Sequence, residues 1–201
     1  MAEPIDQIRL DQALQLLAGK LELKGAAPVN LVVCGGSALI QLGLRSRTTK
    51  DLDVVALLTA AHQLASPDPL PAALLEAAEQ VGRDMGFFED WLNNGPSRGE
   101  GGLFQLGLPA GLTSRLTEKR YSHGLSVHFV SRVDQIHFKL YASCDQRNGR
   151  HMNDLIGLNP SGVELETASR WARTHDVSEG FRTVLQELLS QLGHESIAQR
   201  I

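Results

Sequence analysis

Two groups of residues early in the chain have types and spacing that could do chemistry on a phosphate. Gly35-Gly36-Ser37 is followed, after thirteen residues, by Asp51-Leu52-Asp53. Glycines let the backbone approach an anion with no side chain in between, and amides at a helix start present donors and the positive end of a dipole. Two carboxylates separated by one strand residue share a face. Such a pair suits Mg²⁺, which takes a few carboxylates plus phosphate oxygens and water rather than an all-protein cage. Arg45, Arg47 and Lys50 lie between the two groups, where their charge could neutralise phosphate.

The flanking elements follow from periodicity. Pro28 to Cys34 is a valine-rich run too short for a helix and bounded by proline and glycine, which predicts a central strand. SALIQLGL then allows about two helical turns with Ser37 as N-cap. Asp51 to Leu57 predicts a second strand, with Leu52, Val54 and Ala56 on one side and Asp51, Asp53 and Val55 on the other. Aspartates are poor strand formers and like charges on one face repel, so the pair is hard to explain as ordinary strand surface. The Gly-Gly-Ser run alone is more often a plain strand-to-helix turn needing small residues.

Upstream, Leu10, Ala13, Leu14, Leu17 and Leu21 recur at helical spacing over Ile5 to Leu23, and Lys24-Gly25 ends that helix. Downstream, SPDPLP breaks the chain and Pro71 suits the first position of a helix carrying Leu74, Ala78, Val81 and Met85. Phe87 to Gly102 is rich in turn formers but holds Phe87, Phe88 and Trp91, a loop pinned by aromatics over a cleft. Leu103 to Leu108 and Leu125 to Val130 have strand character. Val133, Ile136, His137, Leu140 and Cys144 mark a helix with Lys139 and Arg147 off its apolar stripe. Helices then continue to the end, with stripes at Leu165, Ala168, Ala172 and at Phe181, Val184, Leu185, Leu188, Leu189, Leu192.

This pattern is α/β (α+β): a small mixed sheet flanked by helices, with a nucleotide-binding core over residues 1–132 and a helical C-terminal part over 133–201 packed against it. The 201 residues suffice for a real core. A charged fraction of 21% and a net charge of -4 exclude a general nucleic-acid coat but leave room for a local basic patch. Cys34 and Cys144 lack the spacing of a redox or zinc site, which points to a reduced, cytoplasmic setting. The start MAEPIDQIRLDQ lacks the basic opening of a signal peptide, and no apolar run is long enough to span a bilayer.

Gly35-Gly36-Ser37 with Asp51-Leu52-Asp53 resembles the signature of the nucleotidyltransferase superfamily with the DNA polymerase beta fold. The fuller string GGSALIQLGLRSRTTKDLDVV, with Arg47, Thr49, Asp51 and Asp53 in order, resembles the bacterial branch that contains AbiEii-type toxins. A second block, KLYASCDQRNGRHMNDLIGL from Lys139 to Leu158, is similar to that branch's downstream element. The resemblance implies a Mg²⁺-dependent transfer of a nucleotidyl group from a nucleoside triphosphate to an RNA or protein acceptor. It implies that Asp51 and Asp53 ligate the metal, that Lys139 and Asp154 complete the catalytic set, and that Gly35, Gly36, Ser37, Arg47, Thr49, Lys50 and Arg147 bind nucleotide.

Many members of the superfamily add a third carboxylate on a later strand. Leu125 to Val130 offers Ser126 and His128 instead, and the AbiEii-like pattern puts Asp154 in that role. The alternative function is a nucleotide-binding or interaction module that kept the fold without transfer, in a toxin–antitoxin or phage-defence pair with a cognate partner. Taken as residues alone, Lys139 and Arg147 are solvated bases on a helix flank, and Asp154 is an acid at a helix start. A G-x-S-x-G hydrolase elbow is disfavoured because Leu39 stands at its last glycine. The histidines lack zinc spacing.

Overall fold

The computed structural model describes residues 3–44, 48–146 and 149–201. It is mixed α/β and divides into two compact units, Met1–Ser131 and Arg132–Ile201. Among the described residues no helix is long and apolar enough to cross a membrane.

The first unit opens with helix α1 (Gln7–Leu23), capped by Asp6, whose carboxylate accepts the Arg9 backbone N–H at 2.8 Å. Its buried face is Leu10, Ala13, Leu14, Leu17, Ala18 and Leu21, the expected stripe with Ala18 added. Strand β1 (Val29–Cys34) leads directly into α2 (Gly35–Gln41), then come β2 (Leu52–Leu58), β3 (Leu64–Ala65) and α3 (Ala72–Met85). The last part holds β4 (Leu92–Asn93), α4 (Leu103–Leu106), β5 (Thr117–Arg120) and β6 (Leu125–Phe129). Pro71 sits one residue earlier than expected, at the N-cap of α3 rather than inside it.

The strands form one mixed sheet in the order β3-β2-β1-β6-β5, with β4 also paired to β2. β1 runs antiparallel to β2 and parallel to β6. One sheet face carries Leu31, Val33, Leu52, Val54, Leu125, Val127 and Phe129, which join the buried faces of α1 and α3 in a single core. Burying this apolar area at about 25 cal/mol per Å² is the main force holding sheet and helices together.

The β1–β2 register slips by one residue. Val33 pairs with Val54 and Val32 with Ala56, leaving Val55 as a bulge. Its carbonyl instead accepts the Ser97 hydroxyl at 2.7 Å. A bulge inverts the side-chain alternation beyond it. Leu57, not Ala56, therefore packs against the core beside Leu52 and Val54, correcting the strict alternation expected for this strand.

Leu103–Leu106 is a helical turn and not a strand. Glycines flank it, and backbone bonds from Leu106 N–H to Gly102 O and Gly107 N–H to Leu103 O close it locally. The aromatic segment is pinned as expected. Trp91 is fully buried, donates its indole N–H to Ala78 O at 2.8 Å, and meets Phe87 edge to face at 5.5 Å. It anchors the segment in the core, which frees the neighbouring residues to pair as β4.

The second unit is helical: α5 (Arg132–Asp145), α6 (Gly149–Gly157), α7 (Gly162–His175), α8 (Glu179–Gln191) and α9 (Glu195–Ala198). Ser161 and Glu164 form a capping box at α7. The Arg132 guanidinium donates to both Glu164 carboxylate oxygens and to the Leu158 and Asn159 carbonyls. This clamp joins the start of α5, the end of α6 and the start of α7, and it holds the Glu164 carboxyl down at about 2. Leu165, Ala168 and Ala172 are buried, as are Phe181, Leu185, Leu188 and Leu189, while Val184 and Leu192 are half-buried.

Candidate functional site

Gly35 and Asp53 meet at the end of the β1–β2 ladder. Cys34, the last residue of β1, is in register with Asp53. Gly35 follows with φ +72°, a left-handed conformation suited to glycine. A Cβ built on Gly35 would overlap Asp53 Oδ2 and lie 3.4 Å from its carboxyl carbon. The glycine turn and the second aspartate, separated by a helix and a loop in sequence, are thus in direct contact. Both aspartates are half-exposed, where ordinary strand neighbours are buried.

Asp51 immediately precedes β2 and is oriented from behind. The Thr49 hydroxyl donates to Asp51 Oδ1 at 3.1 Å. Thr49 is itself almost fully buried, and its backbone N–H and C=O both pair with Ile5. Lys50 is exposed, with its ammonium 5.5 Å from the centre of the Phe88 ring.

Ser37 is not the N-cap. The helix begins at Gly35 with Cys34 as its cap, and Ser37 lies inside the first turn, fully buried, donating to Cys34 O at 3.3 Å. The left-handed glycine turns the chain into the helix two residues early, so no side-chain cap is needed. Gly36 is buried between them. Arg45, Arg47 and Arg147 lie outside the described residues.

In the helical unit Lys139 and Asp154 face each other. Lys139 Nζ is 3.0 Å from Asp154 Oδ2, with the two side chains 8% and 0% exposed. Lys139 is therefore not a solvated flank base. Asp154 is not a helix-start acid either, standing sixth in the nine-residue α6. The pairing explains the burial, because each charge removes the cost of desolvating the other only at contact distance.

Comparison with protein-family models, curated proteins and solved structures gives no match. The likeness to nucleotidyltransferases rests on the sequence motifs themselves.

Two further polar residues enter through strand pairing. Asn93 of β4 is in register with Asp53, and Glu118 of β5 with His128. Glu118 also accepts the Ser126 hydroxyl at 3.0 Å. Neither was legible beforehand, since β4 is two residues long and β5 reads Thr-Glu-Lys-Arg, with no apolar alternation. The Ser122-His123-Gly124 turn before β6 was the one available hairpin signal. His128 is 5% exposed, and among the described residues its Nε2 has no hydrogen-bond partner. Burial pushes its pKa down, Glu118 opposes that, and His62 and Arg120 add to it.

Among the described residues no three His, Cys, Asp or Glu side chains group as a complete metal cage would. Carboxylates such as those of Asp51 and Asp53 are hard donors, of the kind that suits Mg²⁺ sharing a triphosphate better than zinc. Neither cysteine forms a disulfide, and burial with Asp145 nearby pushes the Cys144 thiol up to about 12, which disfavours the thiolate at neutral pH.

Proposed function

We propose that this protein binds a nucleoside triphosphate at the Gly35-Gly36-Ser37 turn and moves a nucleotidyl group from it to an RNA or protein acceptor, breaking the α–β phosphoanhydride bond and releasing pyrophosphate. The observation that carries this is the contact between Gly35 and the Asp53 carboxylate. It is supported by the Thr49 hydroxyl that orients Asp51 and by the sequence resemblance. Asp51 and Asp53 would hold Mg²⁺, which supplies charge neutralisation on the phosphates and orientation of the displacement. Gly35 keeps the backbone close to the carboxylate without a side chain intervening, and Thr49 limits the rotamers of Asp51. Lys50 adds positive charge at the mouth of the site. Catalysis of this kind rests on positioning and electrostatics. Lys139 and Asp154 enter on the resemblance alone and are assigned by substitution.

Calorimetry tests the reading. Triphosphate binding that requires Mg²⁺ and is lost in Asp51→Ala and Asp53→Ala, with circular dichroism unchanged, supports it. No triphosphate binding with or without Mg²⁺ removes it.

A second reading, nucleotide binding or partner interaction without transfer, is favoured by the residues beside Asp53. Its partners in register are Cys34 and Asn93, and neither is a carboxylate. Incubation with labelled triphosphates and cell extract separates the two. Label reaching RNA or protein in an Asp53-dependent way rules out the second.

A further inference from the structure

A groove of about 320 Å³ opens between α3 and β4 in the first unit. Its floor is apolar, made by Leu70, Leu75, Ala78 and Leu92, and Leu75 remains 44% exposed although it is a large aliphatic side chain on a packed helix. Its rim carries four carboxylates, Asp68, Glu79, Glu89 and Asp90, and one guanidinium, Arg98; Glu79 is itself ion-paired with Arg83 of the same helix, which leaves a net of two negative charges. Arg98 is turned to the Asn94 side-chain oxygen at 3.1 Å and so does not cancel the acids across the groove. Asp68 is fixed by Gly99 N–H and by Asn94, which holds one rim in place.

We propose that this groove docks a basic, extended segment of a partner protein, with an apolar side chain over Leu75 and lysines or arginines against the rim. The charge sign selects the occupant. The three carboxylates without an arginine partner among the described residues, Asp68, Glu89 and Asp90, repel the phosphates of a nucleic acid and attract cationic side chains. The apolar floor adds a requirement that a simple polyamine does not meet. Docking does not depend on the nucleotide reading. That reading adds only that Asn93, which lines the groove, is in register with Asp53, so a segment held here lies one strand from the candidate site.

The test uses the full chain without triphosphate and a fluorescent peptide, Lys-Lys-Leu-Lys-Arg-Ser, in an anisotropy titration. Saturable binding is expected, weakened about tenfold or more in Glu89→Lys/Asp90→Lys and in the uncharged exposed-site variant Leu75→Gln, and weakened by salt. Glu22→Lys, a charge reversal on α1 away from the groove, should leave it unchanged. The proposal is overturned if the peptide does not bind, or if Leu75→Gln and the double reversal bind as well as Glu22→Lys. It is overturned equally if spermine competes with full potency and Leu75→Gln has no effect, or if a single-stranded RNA of the same length binds more tightly and in the same groove-dependent way.

Discussion

The Asp53 carboxylate occupies the space that a side chain on Gly35 would need. This contact joins the end of β1 to the start of β2, and it adds to the positive φ a second cost for any other residue at position 35, because the Asp53 carboxylate would have to turn away.

Gly35→Ala should therefore destabilise the protein by about 1–3 kcal/mol and abolish triphosphate binding. The cost should shrink in the Asp53→Ala background, where the oxygen is gone and only the backbone strain remains. Urea denaturation of the two single variants and the double variant measures the coupling. Equal cost of Gly35→Ala in both backgrounds would show that the contact is not felt.

Ser97→Ala leaves the bulged Val55 carbonyl without its donor in a buried position. A loss of about 1–3 kcal/mol is expected, with thermal unfolding as the measurement. Ser97 also accepts the Phe104 backbone N–H at 3.2 Å, so hydrogen exchange at Phe104 should accelerate in the same variant.

Lys139→Met removes the cation beside a fully buried carboxylate. Breaking such a pair from one side costs about 3–5 kcal/mol, whereas replacing both partners by apolar residues costs far less. Lys139→Met/Asp154→Leu should thus be more stable than Lys139→Met in chemical denaturation. If the double variant is folded and still transfers label from a triphosphate, the pair is structural rather than catalytic.

His128 sets an acid limit. Its folded pKa lies below the ordinary 6.5, chiefly because burial disfavours the imidazolium. The unfolded chain therefore takes up the proton first as pH falls. The neutral form's stability is fully present above about 6.5 and is lost progressively as pH drops from there toward the lower folded value. His128→Gln should flatten the stability profile over that window. An unchanged slope between pH 7 and pH 5 would contradict the assignment.

Much of the architecture was legible because burial on one side leaves a local period. Leu10 to Leu21 marks α1, the valine run marks β1, and the stripes from Val133 onward mark the C-terminal helices. The aspartate pair also stood out in the sequence, since Asp51 and Asp53 break the composition of a strand otherwise made of aliphatics. Local pattern does not report a pairing partner, however. β3 and β4 are two residues each and β5 is wholly polar, so their strand character comes from hydrogen bonds to β2 and β6 rather than from their own residues.

By itself the sequence determined the long helices and the central strands, because these depend on residues within a few positions of one another. Only the tertiary structure decided that Val55 bulges, that Lys139 and Asp154 are buried together, and that Asp53 lies against Gly35. Each of these is set by groups brought together across the fold. The energies that decide them, desolvation of a charge and exclusion of a single Cβ, depend on contact distance rather than on spacing along the chain.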